Sequence, residues 1–320
     1  MPADAPIQVL FHASAGPDLR ARLAACAGDG LAIAVCPETD ADRLAALLPT
    51  TDVLWHVLAP ATAGMIAQAP RLKLIQKIGV GVNTIDLEAA RARGIPVCNL
   101  PGTNARAVAE LTLALMLATL RRLPMFDAAT RAGRGFALDP AQLDGLGELG
   151  GRSVGLVGYG AVPQVLAPIL AALGCTLLYT ARTPRSDAIA RFVPLDTLIS
   201  EADIVSLHLP LTAETTHLID AARLARMRPG SILINTARGG LIDQPALAAA
   251  LRTGPVVAAG LDVFDPEPPP EGHPILALPN TVLTPHIAWL TSATFDRSLV
   301  LATENCRRLH TGMPLLHRVA

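Results

Sequence analysis

The sequence predicts an α/β protein of two doubly wound parallel-sheet domains with a cleft between them. Three observations carry this expectation. Short β-rich runs alternate with Ala- and Leu-rich helical segments, the alternation runs through two successive series, and the second series opens on closely spaced glycines between a strand and a helix. At 320 residues and 51% hydrophobic content the chain has material for about two domains, at ~150 residues each, and for sizeable cores. The two series share no fixed short period, which argues against a solenoid.

The first series predicts strands at 7–11, 32–36, 53–58, 73–78 and 96–99, separated by helices at 17–27, 40–48, 62–67 and 85–93. A helical pattern then runs from 105 to 121, with Arg121 and Arg122 suited to its negative end, and reads as the connector between domains. The stretch 123–151 is rich in Gly, Pro and Asp and reads as an irregular excursion, a candidate oligomerisation arm. The second series predicts six strands, at 154–157, 176–180, 204–209, 231–236, 257–263 and 281–284, with helices at 163–173, 221–227 and 244–252. A last helix at 291–308 would fold back on the first domain, so that 1–101 plus 290–320 form one discontinuous domain and 102–289 the other. The cleft is expected where both sheets point the C-terminal ends of their strands.

Composition narrows the function. A formal charge of −1 and the lack of a Lys/Arg-rich tail argue against nucleic acid or an anionic membrane as partner and leave room for a small anionic ligand. The longest apolar run, 111–120, falls far short of the ~20 residues that cross a bilayer, and reads as a buried helix. The opening Met1-Pro2-Ala3-Asp4 begins no secretory pattern, and five scattered cysteines (Cys26, Cys36, Cys98, Cys175 and Cys306) suit a reducing cytoplasm as buried thiols.

The glycines stand in Ser153-Val154-Gly155-Leu156-Val157-Gly158-Tyr159-Gly160-Ala161-Val162-Pro163. A glycine turn at a helix start lets backbone N–H groups approach a pyrophosphate, which the positive helix end also favours. The pattern GxGxxG is met in part, because Pro163 replaces the third glycine, whose usual task is close helix–sheet packing. A proline in a first helical turn loses only an N–H that has no intrahelical partner, so Ala161 and Val162 keep their donors.

Polar residues gather at the later strand ends. SILINTARGGLID (231–243) delivers Thr236 and Arg238, VFDPEPP (263–269) supplies carboxylates on a stiff loop, and TPHIAW (284–289) places His286 after the next strand. An Arg can clamp a carboxylate with two parallel hydrogen bonds. Singly, such residues are more often surface charges or satisfied core groups; their recurrence after successive strands points to a site. Metal binding by His273, His286 and the carboxylates is the rival reading, but no HxxxH or HxH spacing supports it and no metal is expected.

INTARGGLID, GLDVFDPEP and TPHIAW, with KIGVGVNTID, PGTNARAVAELTLAL and HLPLTAET, resemble the D-isomer-specific 2-hydroxyacid dehydrogenases over about residues 72–292, and the glyoxylate/hydroxypyruvate reductase branch in particular. The resemblance implies two Rossmann-like domains: a substrate (catalytic) domain from both chain ends and a dinucleotide-binding domain from the middle. It implies reduction of a 2-oxo acid to the D-2-hydroxy acid. Arg238 would hold the substrate carboxylate and polarise the carbonyl, His286 would donate the proton, and Glu267 would hydrogen-bond His286 and favour its imidazolium. Backbone N–H groups at Val80 and Gly81 would grip the other side of the carboxylate, with Asn104 nearby and Trp289 walling the pocket for small substrates. Gly158, Gly160, Ala161, Val162, Pro210, Thr236 and Asp262 would contact the cofactor. A homodimer is expected by the same resemblance. Formate dehydrogenases use Gln where Glu267 stands, so the carboxylate argues against that reaction. Phosphoglycerate dehydrogenases often carry a C-terminal regulatory domain, which is not expected in the few residues after Trp289.

Cofactor choice turns on the end of the nucleotide domain's second strand, where an Asp or Glu would bind the ribose hydroxyls of NAD. Ala181 stands there, while Arg182, Thr183 and Arg185 offer partners to a 2′-phosphate, so NADP(H) is preferred and NAD(H) possible. The alternative from another class is a catalytically weak nucleotide-sensing binding protein with a dehydrogenase fold, against which the intact Arg238, Glu267 and His286 argue.

Overall fold

Parallel pairing of short strands rich in Val, Ile and Leu builds two separate sheets in the computed structural model, which describes residues 5–28 and 30–320. Met1–Asp4, on which the expectation about a secretory signal rests, lie outside the described residues. Two compact units result: residues up to Asn104 together with Leu290–Ala320, and Ala105–Trp289.

The first unit runs β1 (Ile7–His12), α1 (Pro17–Cys26), β2 (Leu31–Cys36), α2 (Ala41–Leu47), β3 (Val53–His56), α3 (Ala63–Ala67), β4 (Leu74–Lys77), α4 (Leu87–Ala92) and β5 (Val97–Cys98), with sheet order β2-β1-β3-β4-β5. Residues in register on neighbouring parallel strands share a face, so each row becomes a layer of core. Leu10, Leu54, Ile75 and Val97 form one row, and pack with Met65, Ile66, Ala90 and Ile95 from the helical side. Phe11, Trp55, Gln76 and Cys98 form the next row, on the opposite face. Asp40, Thr62 and Asp86 cap α2, α3 and α4 by accepting a backbone N–H three residues on.

The second unit holds α5 (Ala105–Leu120), α6 (Leu123–Arg131), α7 (Pro140–Leu143), β6 (Ser153–Val157), α8 (Ala161–Ala172), β7 (Thr176–Thr180), β8 (Arg191–Phe192), α9 (Leu195–Glu201), β9 (Ile204–Leu207), α10 (Ala221–Arg226), β10 (Ser231–Asn235), α11 (Gln244–Thr253), β11 (Val256–Leu261) and β12 (Thr281–Leu283). Its sheet order is β12-β11-β10-β9-β6-β7-β8, parallel throughout. Leu156, Ile204 and Ile234 pack with Leu115, Met116, Leu166 and Leu170 of α5 and α8. On the other face Val205, Leu207, Leu233 and Ala259 pack with Leu198, Leu224, Leu247 and Leu251 of α9, α10 and α11. The strand order reverses between β6 and β9, and the crevice beyond their C-terminal ends is the favoured place for a ligand in an open parallel sheet.

The chain then returns to the first unit as α12 (Ser292–Thr311), whose Asn305 donates from Nδ2 to Gln76 Oε1 at 2.6 Å in the buried second row. Gly312, at φ +68, ends α12 in the left-handed conformation. The last residues lie along β5: Val97 N donates to Ala320 O and Asn99 N to His317 O, which covers that sheet edge.

Three details depart from the sequence reading. The stretch expected to be irregular begins with α6, because Pro124 sits in the first helical turn, where it starts a helix and does not break one, and Asp127 pairs with Arg131 one turn on. β8 makes the second sheet seven-stranded where six strands were expected, and α9 is an additional helix; two residues of strand and seven of helix are too short for a periodic signal. α8 starts at Ala161, two residues earlier than expected, so Pro163 lies within its first turn. Among the described residues no helix is long and apolar enough to cross a membrane.

α9 packs on β6 at Gly155, where a Cβ would collide with Leu198 Cδ2 and stand 3.0 Å from Ala202 Cβ. Gly155→Ala is expected to cost ~1–3 kcal/mol by overpacking. A thermal melt reads this as a lowered Tm; an unchanged Tm would contradict the packing.

Candidate active site

The glycine turn after β6 has one closed and one open side. Gly158, at φ +99, donates its N–H to Thr180 O, and a Cβ on it would lie 2.7 Å from His208 O, so no larger residue fits. A Cβ on the exposed Gly160 would meet nothing within 4 Å. Gly160 is the N-cap of α8, whose first N–H groups, including those of Ala161 and Val162, have no intrahelical acceptor. The turn thus offers donors, a positive helix end and free room, which together fit the pyrophosphate of a dinucleotide. Pro210 follows β9 on the neighbouring strand and is exposed.

At the end of β7, Ala181 is half-buried, and Arg182, Thr183 and Arg185 are exposed. Arg185 holds Asp187 in a two-point pair, Nε to Oδ1 at 2.9 Å and Nη2 to Oδ2 at 2.8 Å, and its N–H donates to Tyr179 Oη at 2.7 Å. Its guanidinium is therefore already engaged. Thr236, after β10, is buried with its hydroxyl 2.8 Å from that of Thr112 on α5.

The loops after β10, β11 and β12 carry Arg238, Glu267 and His286. Asn235, fully buried at the end of β10, braces the first: its Nδ2 donates to Arg238 O at 2.9 Å and its Oδ1 accepts from Ala237 N at 3.0 Å. A Cβ on Gly239 would overlap the Phe264 carbonyl, so the Arg238 loop rests directly on the loop that bears Glu267. Glu267 Oε1 accepts from Phe264 N at 2.9 Å, and its Oε2 stands 2.7 Å from His286 Nδ1. Burial works to raise the Glu267 carboxyl, but the His286 hydrogen bond and charge, the Phe264 N–H and Arg238 together hold it below its ordinary value. Burial likewise pulls the Arg238 guanidinium down, with the Glu267 charge pushing back.

Asp262 shapes the third loop. Its buried Oδ1 accepts from Thr284 Oγ1 at 2.6 Å and Ile287 N at 2.9 Å, its Oδ2 accepts from Ala288 N at 2.9 Å, and its carbonyl accepts from His286 N at 2.7 Å. Under this hold His286 adopts φ +55, a left-handed conformation uncommon outside glycine. The half-buried Trp289 donates from Nε1 to His286 O at 3.1 Å. Arg238, Glu267, His286, Trp289 and Asp262 thus fall in one loop cluster. Asn235 and the anchoring part of Asp262 escaped the sequence reading, although both lie inside quoted motifs; an Asn closing an apolar run directly before an Arg-bearing loop is the signal for the first. Val80, Gly81 and Asn104 belong to the first unit, where Val80 is exposed and the other two are half-buried. Among the described residues no group of three or more His, Cys, Asp or Glu is placed to hold a metal ion.

A dinucleotide turn at the sheet's switch point, with a carboxylate-held histidine at neighbouring strand ends, is the equipment of a nicotinamide-dependent oxidoreductase. The chain belongs to the D-isomer-specific 2-hydroxyacid dehydrogenases, and residues 113–288 match that family's NAD-binding domain. It is similar to the hydroxypyruvate reductase of Thermotoga maritima, 40% identical over 255 residues that cover 78% of this chain and 82% of that one. Against the D-3-phosphoglycerate dehydrogenase of Mycobacterium tuberculosis it is 38% identical over 293 residues, 90% of this chain but 54% of that protein, so it spans about half of that relative. Its fold is similar to the solved NADPH-dependent glyoxylate/hydroxypyruvate reductase of Sinorhizobium meliloti in complex with NADP and malonate, with a TM-score of 0.82 and 31% identity over 98% of this chain and 97% of that one.

Because the folded Glu267 carboxyl lies below its unfolded value of ~4.3, the stability it adds is fully present above that pH and is lost as pH falls through the folded value. The Tm gap between wild type and Glu267→Gln is therefore expected to narrow as the pH is lowered from ~7 through the folded value. A gap that stays constant with pH would contradict the pairing.

Proposed function

We propose that the protein reduces a small 2-oxo acid, such as glyoxylate or hydroxypyruvate, to the D-2-hydroxy acid with NADPH as reductant. The observation that carries this reading is the 2.7 Å contact of His286 Nδ1 with Glu267 Oε2, in the loop cluster that also presents Arg238. With Nδ1 committed to the carboxylate, Nε2 is the ring nitrogen left to face substrate. Bound NADPH supplies a hydride for the carbonyl carbon. The side chains do the rest: Arg238 binds the substrate carboxylate and polarises the carbonyl, and His286 gives its proton to the carbonyl oxygen as the hydroxyl forms. Glu267 orients the His286 ring through Nδ1, and the N–H groups of Val80 and Gly81 also bind the substrate carboxylate. Asp262 keeps the His286 backbone in place.

Support for NADPH comes from Ala181, where a carboxylate would repel a 2′-phosphate, and from the exposed Arg182 and Thr183. Since Arg185 is engaged by Asp187, Arg182 carries more of the expected phosphate contact. The similarity to D-3-phosphoglycerate dehydrogenases makes 3-phosphoglycerate oxidation the rival activity.

The test is cofactor oxidation with a panel of 2-oxo acids, beside 3-phosphoglycerate in the reverse direction. Turnover with glyoxylate or hydroxypyruvate is expected; cofactor binding without turnover would favour the sensing alternative. His286→Gln is expected to lower kcat by at least ~10²-fold, the scale of a general acid, and near wild-type turnover would sink its assignment. For the cofactor, kcat/KM is expected to be higher with NADPH than NADH, and Arg182→Ala to lower the NADPH value by ~10-fold or more with little change for NADH. Equal values for the two cofactors in wild type would contradict that preference.

A further inference from the structure

We propose that Asn99 is a positioning residue for the substrate carboxylate, acting through the Val80–Gly81 peptide. The inference rests on the reading above, in which the Val80 and Gly81 N–H groups bind that carboxylate. Past the end of β4, Ile78 N donates to His56 O at 2.8 Å and continues the ladder for one more residue. The chain then bends at Gly79, φ +147, and presents two successive peptide planes. In the first, Gly79 O accepts from Leu100 N at 2.8 Å; in the second, Val80 O accepts from Asn99 Nδ2 at 2.8 Å.

The N–H and C=O of a trans peptide point in opposite directions. With both carbonyls drawn to the 99–100 segment, the N–H groups of Val80 and Gly81 are turned away from it together. Neither donates to an acceptor among the described residues, and Val80 is 40% exposed. Two adjacent N–H groups on one side of a loop suit the two oxygens of a carboxylate. Of the two fastenings, one is main chain and belongs to any sequence, whereas the other is the Asn99 side chain. Its own backbone is fixed beside β5, where Asn99 N donates to His317 O at 3.1 Å, so the amide is held on a rigid strand end. The position needs a short side chain that donates. Asp matches the shape but only accepts, and would repel both the Val80 carbonyl and the substrate.

Steady-state kinetics with glyoxylate and NADPH, and inhibition by oxamate as a dead-end carboxylate, test this on the full-length protein. Asn99→Ala is expected to raise the glyoxylate KM and the oxamate Ki by about tenfold, with kcat, the NADPH KM and the Tm close to wild type. Asn99→Asp is expected to raise both further, and Asn99→Gln, which keeps the donor, to recover part of the loss. If Asn99→Ala does not fold, the isosteric Asn99→Asp gives the same comparison. A glyoxylate KM within about twofold of wild type in the variants, or a parallel shift of kcat, both KM values and Tm, would overturn the inference and leave the proposed function standing. A wild-type protein that turns over no 2-oxo acid would overturn both.

Discussion

The Asp262 carboxylate and carbonyl together fix the loop on which the proposed chemistry depends. A buried carboxylate is costly unless its lone pairs are used, and this one accepts from Thr284, Ile287 and Ala288 while its main-chain oxygen takes the His286 N–H. Burial raises its pKa despite these bonds, a sign of how far it is removed from water. The return is a loop whose path is over-determined, so that His286 can hold φ +55 and keep its ring against Glu267.

Two glycines transmit the same order between strands. Gly239 lets the Arg238 loop lie on the Phe264 carbonyl, and Phe264 in turn gives its N–H to Glu267. Gly158 lets the turn after β6 lie on the His208 carbonyl after β9, at the reversal of strand order. In both places side-chain volume would separate loops that the chemistry needs close together, and a backbone obstacle cannot move aside as a side-chain end can. The sheet supplies coarse placement and the glycines the last few ångströms.

Much of this was legible in the sequence because the relevant signals are local. Runs of Val, Ile and Leu marked the long strands, and Arg238, Glu267 and His286 stood out because chemically matched residues followed successive strands. What was hidden is either short or non-local. β8 is defined by its pairing with β7, where Phe192 stands edge-on to Tyr179, and α9 by its packing at Gly155, not by their own patterns. The grip of Asp187 on Arg185 depends on a turn that brings residues two apart face to face, so a count of arginines overstated the positive charge open to a phosphate. Asn99 lies nineteen positions from Val80, and only the pairing of β4 with β5 brings them together.

In the proposed reaction the side chains give a proton to the carbonyl oxygen of a 2-oxo acid while hydride from NADPH adds to one face of its carbonyl carbon. The most direct test is chiral analysis of the product formed from hydroxypyruvate and NADPH. D-glycerate in equimolar yield with the cofactor consumed is expected; L-glycerate, or bound cofactor with no glycerate, would contradict the proposed reaction.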